Sequence, residues 1–376
     1  YTDPKNESLP VEPEIADFWT PVDQYIGGDD HAVMHLIYAR FWTKVMRDLG
    51  LVRFDEPFKR LLTQGMVVGE TFFDDSSGKR VYFPHDQVAV ERDSKGRIVS
   101  AIVDTDREPT SDLRDPQLKF AIERMSKSKG NGVDPDEMVQ IYGADATRLF
   151  VLFAAPVENE LVWQESGIEG AVRFLQRVWR FVYKWYDVLS EPPVVTGGHA
   201  ANGSEAARKL RQKTHQTIKR VQDALETLQF NTPVAAMMEL CNALYDSKVE
   251  PETAVDDERD AVREAVTSLV LMLTPFAPHA AEEMFSVIIG NEKGLLANNA
   301  RFPRYNEDLA RADEIEIAVQ VNGKLRSRIF ADPGASDAQL EAMALADPKV
   351  AEYTGNGQIA KVIVVPQRLV NIVVRG

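Results

Sequence analysis

Apolar and polar positions change period several times along the chain, and each change predicts an element or a boundary. Gln24-Tyr25-Ile26 reads as the end of a buried strand, with Gly27-Gly28 as a tight exit. Asp29-Asp30 then stand where they could cap a helix running from near His31 through Trp42 to about Leu49. Leu61 to Val67 is a second apolar run of strand length, so residues 1–70 predict strand–helix–strand in a parallel sheet. From Thr71 to Thr110 the turn signals Ser76-Ser77-Gly78 and Ser94-Lys95-Gly96 separate short strands such as Val88–Arg92 and Ile98–Val103. A small β-rich insertion over 71–113 follows from that spacing.

Helical periodicity takes over afterwards. Asp134-Pro135-Asp136-Glu137 combines an N-cap, a proline at the first helical position and a capping-box-like glutamate, and Gly143 offers a stop. A second helix, with Asp145 near its start, carries Leu149, Phe150, Leu152 and Phe153 and ends by Pro156. In the stretch from about Ser166 to Leu189, Phe174, Val178, Phe181 and Trp185 share one helical face. A Pro/Gly-rich break from Pro192 to Gly203 precedes helices over about Ser204–Leu228, Thr232–Tyr245 and Asp256–Ser286. Pro275 and Pro278 should kink or restart the last of these. Residues 313–376 form a separate α/β unit: Ile315, Ile317, Val319 and Val321 alternate, and Asn322-Gly323 signals a hairpin. Period two predicts that the return strand places Lys324, Arg326 and Arg328 on one face, either for an RNA backbone or as a charged edge guard. Two helices, started by Ser336 and by Asp347-Pro348, and strands near Lys361–Val365 and Leu369–Val374 complete the unit.

Composition narrows the class. A chain of 376 residues has room for two to four domains, and 44% hydrophobic content is ordinary for a globular protein. No membrane span is expected, because no run of about 18 apolar residues occurs. No basic-then-apolar start suggests a secretory signal. The single cysteine, Cys241, excludes an internal disulfide framework and a Cys-rich zinc ribbon, and points to a reducing, cytoplasmic home. A net charge of −15 opposes non-specific nucleic-acid binding, yet the segment from Glu205 to Arg220 concentrates Arg208, Lys209, Arg211, Lys213, Lys219 and Arg220 against one acid.

Two segments carry candidate chemistry. Arg124-Met125-Ser126-Lys127-Ser128-Lys129-Gly130-Asn131-Gly132-Val133 groups cations, hydroxyls and glycines just before a capped helix. Lysine ammonium groups offer point charges to phosphate oxygens, and glycine lets backbone approach closely, so the loop suits a polyphosphate; a solvated basic loop is the plainer reading. The second segment is the helix with His31 and His35, four residues apart and so on one face. Zinc is not expected there, because Ala32 stands where the metalloprotease pattern has glutamate and no third ligand is evident. A buried, satisfied histidine pair is the ordinary alternative.

Arg124 to Ser128 resembles the Lys-Met-Ser-Lys-Ser signature of class I aminoacyl-tRNA synthetases, with arginine for the first lysine. The run Pro21 to Trp42 resembles a segment of bacterial leucyl-tRNA synthetases, and Val319 to Arg326 resembles the start of their C-terminal domain. Thr274 to Met284 is similar to the last helix of the class Ia bundle. The resemblance implies a multidomain α/β plus all-α protein. Its parts are the C-terminal half of a class I Rossmann-like catalytic domain (1–70), a β-rich leucine-specific insertion (71–113) and a signature-loop and stem-contact region (114–164). An anticodon-binding-type helical bundle (165–305) and an α/β C-terminal tRNA-binding domain (313–376) follow.

It further implies catalytic roles for Lys127 and Arg124, and ATP contacts at Gly28, Asp30, Gln64, Met66, Met125, Ser126 and Lys127. His31 and His35 are implied in the leucine pocket, and Lys324, Arg326 and Arg328 in tRNA binding. Asp30 stands where relatives usually carry glutamate. His279 reads as structural. The implied reaction is leucine–tRNA ligation, with ATP as substrate, Mg2+ accompanying it, and tRNA(Leu) as acceptor. The expected partner is an N-terminal half carrying the rest of the ATP site, absent through truncation or a natural split, with a monomer when full length. Two alternatives stay open: a valyl, isoleucyl or methionyl ligase, and a non-catalytic tRNA-binding protein derived from such an enzyme.

Overall fold

The structure, a computed structural model, describes residues 2–104, 117–191, 203–290, 294–311, 315–331, 334–355, 358–366 and 368–375. The Pro/Gly-rich break after Pro192 and the end of the expected insertion lie outside the described residues.

The first elements are α1 (Pro13–Trp19), β1 (Tyr25–Gly28), α2 (Asp29–Val33), α3 (His35–Asp48) and β2 (Leu61–Gln64). β1 and β2 pair in parallel, Tyr25 beside Leu61 and Gly28 beside Gln64, which makes the strand–helix–strand unit real. The strand expected over Leu61–Val67 is instead two. Gly65 and Met66 interrupt it, and β3 (Val67–Asp74) joins a different sheet, running across the boundary expected at residue 70. Gly65 lies so close to the 159–160 backbone that a Cβ would stand 1.9 Å from the Asn159 carbonyl oxygen.

β3 pairs antiparallel with β4 (Val81–Phe83) and with β7 (Lys119–Arg124), while β5 (Val88–Arg92) and β6 (Ile98–Val103) form the hairpin expected of the insertion. Phe72, Phe83, Val88, Ala101, Val103 and Leu118 close a small core between them. Next come α4 (Pro135–Tyr142), α5 (Ala144–Phe153) and β8 (Leu161–Val162), the last parallel to β3.

The helical part continues with α6 (Glu165–Lys184), α7 (Tyr186–Ser190), α8 (Glu205–Glu226), α9 (Asn231–Asp246), α10 (Asp256–Leu273), α11 (Pro278–Ile289), α12 (Gly294–Ala297) and α13 (Glu307–Ala310). One expected helix is broken at Trp185, separating α6 from α7, and the two prolines restart the chain between α10 and α11 as anticipated. Phe174, Val178, Phe181 and Trp185 are all buried, as the α6 periodicity requires. Met138, Leu149 and Phe150 of α4 and α5 lie in that same core. Buried apolar surface therefore continues across residue 165.

Within the bundle, His215 is 5% exposed. Its Nδ1 accepts the Asn306 N–H (3.1 Å), so its proton sits on Nε2, facing Glu264 Oε1 at 3.0 Å. The last unit orders β9 (Ile315–Val321), β10 (Lys324–Ala331), α14 (Asp337–Ala346), α15 (Pro348–Thr354), β11 (Gln358–Val365) and β12 (Leu369–Arg375) into a sheet β10-β9-β12-β11 with parallel central strands. Asn322 and Gly323 both have positive φ, which the type I′ hairpin turn demands. Ser336 closes a capping box with Gln339, and Asp347 accepts from the Lys349 and Val350 amides.

Candidate functional site

Gly28 ends β1 and is itself the residue preceding α2, in extended conformation. Asp29 and Asp30 fall inside the first helical turn and make no side-chain cap; they act there as negative charge at a helix N-terminus. The continuous helix expected from His31 is interrupted at Met34, so His31 ends up on α2 and His35 opens α3. Their rings nonetheless converge on one atom. The Tyr25 hydroxyl lies 2.9 Å from His35 Nδ1 and 3.5 Å from His31 Nδ1. One hydroxyl can donate to one imidazole and accept from the other. Tyr25 also stacks on His35 (5.3 Å) and on Phe58 (4.3 Å). The histidines are exposed, so neither is the buried core residue that the ordinary alternative supposes. Tyr25 was visible in the strand pattern, whereas Phe58 lies outside the strands, in an isolated bridge to Val22 that no periodicity marks.

The phosphate-loop candidate follows β7. Met125 N–H donates to Val67 C=O (3.2 Å), and Lys127–Lys129 form one 3-10 turn closed by Gly130 at φ +65°. The Ser126 and Ser128 hydroxyls are 3.2 Å apart, and Lys129 Nζ is 2.7 Å from Glu123. Lys127 is exposed, and its ammonium has no hydrogen-bond or ion-pair partner among the described residues. Asp134 caps α4 by accepting from the Asp136 amide (2.9 Å); Glu137 does not close a box.

Arg124 is committed elsewhere. Its guanidinium binds Asp30 two-pronged, NH1 donating to Oδ1 at 3.0 Å and NH2 to Oδ2. That contact holds the Asp30 carboxyl below the usual carboxylate range. The two positions that depart from the resembled motifs therefore touch each other, and they join segments 94 residues apart. Beside them, at the ends of β1 and β2, lies a cleft of about 390 Å³ bordered by Asp29, Gln64, Gly65, Met66, Glu158 and Glu160. The two glutamates carried no sequence signal. Met66 C=O is taken by the Leu161 amide (2.9 Å). Among the described residues no group of three or more His, Cys, Asp or Glu side chains could hold a metal ion.

The cationic ribbon differs from expectation. The register shifts between Leu325 and Ser327, so a bulge at Arg326 breaks the period-two rule. Arg328 pairs with outward-facing Ala318 and binds Glu316 at 2.7 Å. The Arg326 guanidinium lies 4.0 Å from the centre of the Tyr353 ring on α15, on the helix side of the sheet. Lys324 alone of the three has no partner among the described residues. The α8 cations are likewise engaged: Arg211 with Asp257 (2.5 Å), Lys213 and Arg220 with Glu239, Lys209 with Glu205, and Lys219 over Tyr305. That run mostly stitches the bundle together.

His279 and Asp145 meet at 2.9 Å, and the Ala280 amide donates to the second Asp145 oxygen at 2.6 Å. The carboxylate so serves a helix start, while the His279 side chain is exposed and adds only a surface contact to it. No helix among the described residues is long and apolar enough to cross a membrane.

Residues 122–164 match tRNA synthetases class I (I, L, M and V), and residues 207–341 match the anticodon-binding domain of tRNA ligase. The chain is 46% identical over 364 residues to a leucine–tRNA ligase of Alkalilimnicola ehrlichii, covering 96% of this chain and 40% of that protein. It is 43% identical over 382 residues to the leucine–tRNA ligase of Fusobacterium nucleatum, covering 100% and 41%. A solved LeuRS–tRNA–LeuAMS ternary complex from Agrobacterium radiobacter superposes with a TM-score of 0.66 at 28% identity, over 98% of this chain and 39% of that one. The chain thus spans about two-fifths of the length of the relatives it matches. Along nearly its whole length, the chain is similar to the corresponding part of leucine–tRNA ligases, and residues 122–164 carry the class I tRNA synthetase match.

Proposed function

We propose that this chain contributes the ATP-binding and leucine-binding part of a leucyl-adenylate-forming site, together with units that dock tRNA(Leu). The carrying observation is that the loop with Lys127 and the helix start after β1 close on each other through Arg124 and Asp30, beside one cleft. ATP enters with its base toward Gln64 and Met66 and its ribose toward Asp30. Ribose hydroxyls then replace the guanidinium on Asp30, and Arg124 turns to the phosphates. The leucine side chain packs on the wall of Tyr25, His31, His35 and Phe58, apolar on its ring faces and polar at its tips. Attack of the leucine carboxylate on the α-phosphate expels pyrophosphate, and the exposed Lys127 ammonium stabilises the charge that builds there. Met125 and Ser126 carry the loop backbone against the same phosphates. The tRNA terminal ribose hydroxyl next takes the leucyl group from the adenylate. Mg2+ entering with ATP would supply charge neutralisation at the phosphates, and among the described residues no group of three or more His, Cys, Asp or Glu side chains would hold it.

Parallel sheets are covered on both faces in stable proteins. Here Val33, Met34, Ile37, Tyr38, Phe41 and Trp42 are exposed along α2 and α3, and a polypeptide equivalent to the remaining part of the relatives covers them. The test is leucine-dependent ATP–pyrophosphate exchange, with the chain mixed with the preceding portion of the Alkalilimnicola relative. Leucine-selective exchange that Lys127→Ala abolishes is expected. Exchange with valine, isoleucine or methionine alone would overturn the substrate. Exchange with no amino acid, alongside retained tRNA binding, would leave a non-catalytic tRNA-binding module.

A further inference from the structure

We infer that Asn131 is a positioning residue for Lys127, acting through a buried amide staple that closes the base of the phosphate loop. The inference rests on the adenylate-forming reading above. Asn131 is 2% exposed, and both ends of its amide are used. Oδ1 accepts the Ser126 N–H at 2.9 Å, and Nδ2 donates to Thr71 Oγ1 at 2.6 Å and to Arg124 C=O at 3.2 Å. Thr71, fully buried on β3, passes its own proton to Gly69 C=O at 3.1 Å. The loop is seated where β3 lacks a side chain: a Cβ on Gly69 would lie 2.9 Å from Met125 Cε and 3.3 Å from the Asn131 carbonyl oxygen.

Residues on both sides of the 3-10 turn are thereby tied to one rigid strand, while the turn itself carries the exposed Lys127. The chemistry needs an amide. A carboxylate keeps the acceptor for Ser126 N–H but has no proton for Thr71 or for Arg124 C=O, and burial leaves no water to replace it. A loop loosened by an ångström misplaces the ammonium, and misplacement on that scale costs about a hundredfold in rate.

Asn131→Asp and Thr71→Val should therefore lower kcat for leucine-dependent pyrophosphate exchange in the complemented chain, by about a hundredfold and about tenfold. The KM for leucine should stay within about twofold, since the His31–His35 wall is untouched, and Thr71→Ser should restore kcat. Amide exchange of Ser126 in the chain alone should accelerate in both variants, while Lys127→Ala leaves it unchanged. Unaltered kcat in Asn131→Asp, or an equal rise in the leucine KM, would overturn the positioning role. Absence of exchange in the unaltered protein would overturn the adenylate-forming reading and this role with it. Unchanged Ser126 protection in Asn131→Asp would refute the staple.

Discussion

Replacing Asp145 by alanine should weaken the bundle by about 2 kcal/mol, whereas replacing its partner His279 should cost at most about 0.5 kcal/mol. The residue before α11 is Ala277, which has no side-chain acceptor, so the helix cannot cap itself. Asp145 reaches across from α5 and accepts the Ala280 N–H, an amide that would otherwise lack an intrahelical partner. Losing such a cap costs about 1 kcal/mol. The same carboxylate lies in the first turn of α5, so its charge favours two helix N-termini, adding about 0.3–1 kcal/mol for each. Its side chain is 11% exposed, so screening is slight, while that of His279 is 78% exposed and its bond to Asp145 is a surface contact.

Asp145→Asn retains one acceptor oxygen and should fall between, near 1 kcal/mol. Urea unfolding followed by far-UV circular dichroism reads the global change. Native-state amide exchange over Pro278–Ile289 reads the local one, and the melting temperature should fall by about 4–8 °C in Asp145→Ala. A loss below about 0.5 kcal/mol in Asp145→Ala, or an equal loss in His279→Ala, would refute the cap in favour of a plain surface ion pair.

Three further outcomes follow from the same geometry. The Asp30–Arg124 pair should persist from pH 8 to pH 5. Arg124 depresses the Asp30 carboxyl, so its contribution is present above the unfolded value of about 3.9 and is lost only as pH falls through the lower folded one. A carboxyl-carbon NMR titration with a midpoint at or above 4 would contradict this. Cys241, whose thiol burial pushes up to about 11, should resist iodoacetamide at pH 8 until the bundle unfolds; prompt alkylation of native protein would show the site to be open. Lys324→Ala should reduce the salt dependence of tRNA binding by about one unit of slope. Arg328→Ala, whose guanidinium is already neutralised by Glu316, should leave it unchanged, and equal effects would restore a single three-cation face.

Local patterns determined much of this protein. Alternation from Ile315 to Val321 with Asn322-Gly323, the core stripe of α6, and the starts at Asp134, Ser336 and Asp347 were all readable. Each depends on interactions within a few residues, which periodicity and capping chemistry express directly. The glycines and polar residues after Arg124 likewise marked a turn ahead of a capped helix. Tertiary structure alone decided what the side chains meet. The break at Met34, the split at Gly65-Met66 and the bulge at Arg326 redirect side chains, and no period reveals them. Asn131 looks in sequence like one more polar loop residue, and its burial follows only from β3 passing beneath it with Gly69 and Thr71. Arg124 and Asp30 meet across 94 residues, as do Asp145 and His279 across 134, because packing brings separate segments together; such contacts leave no trace in local spacing.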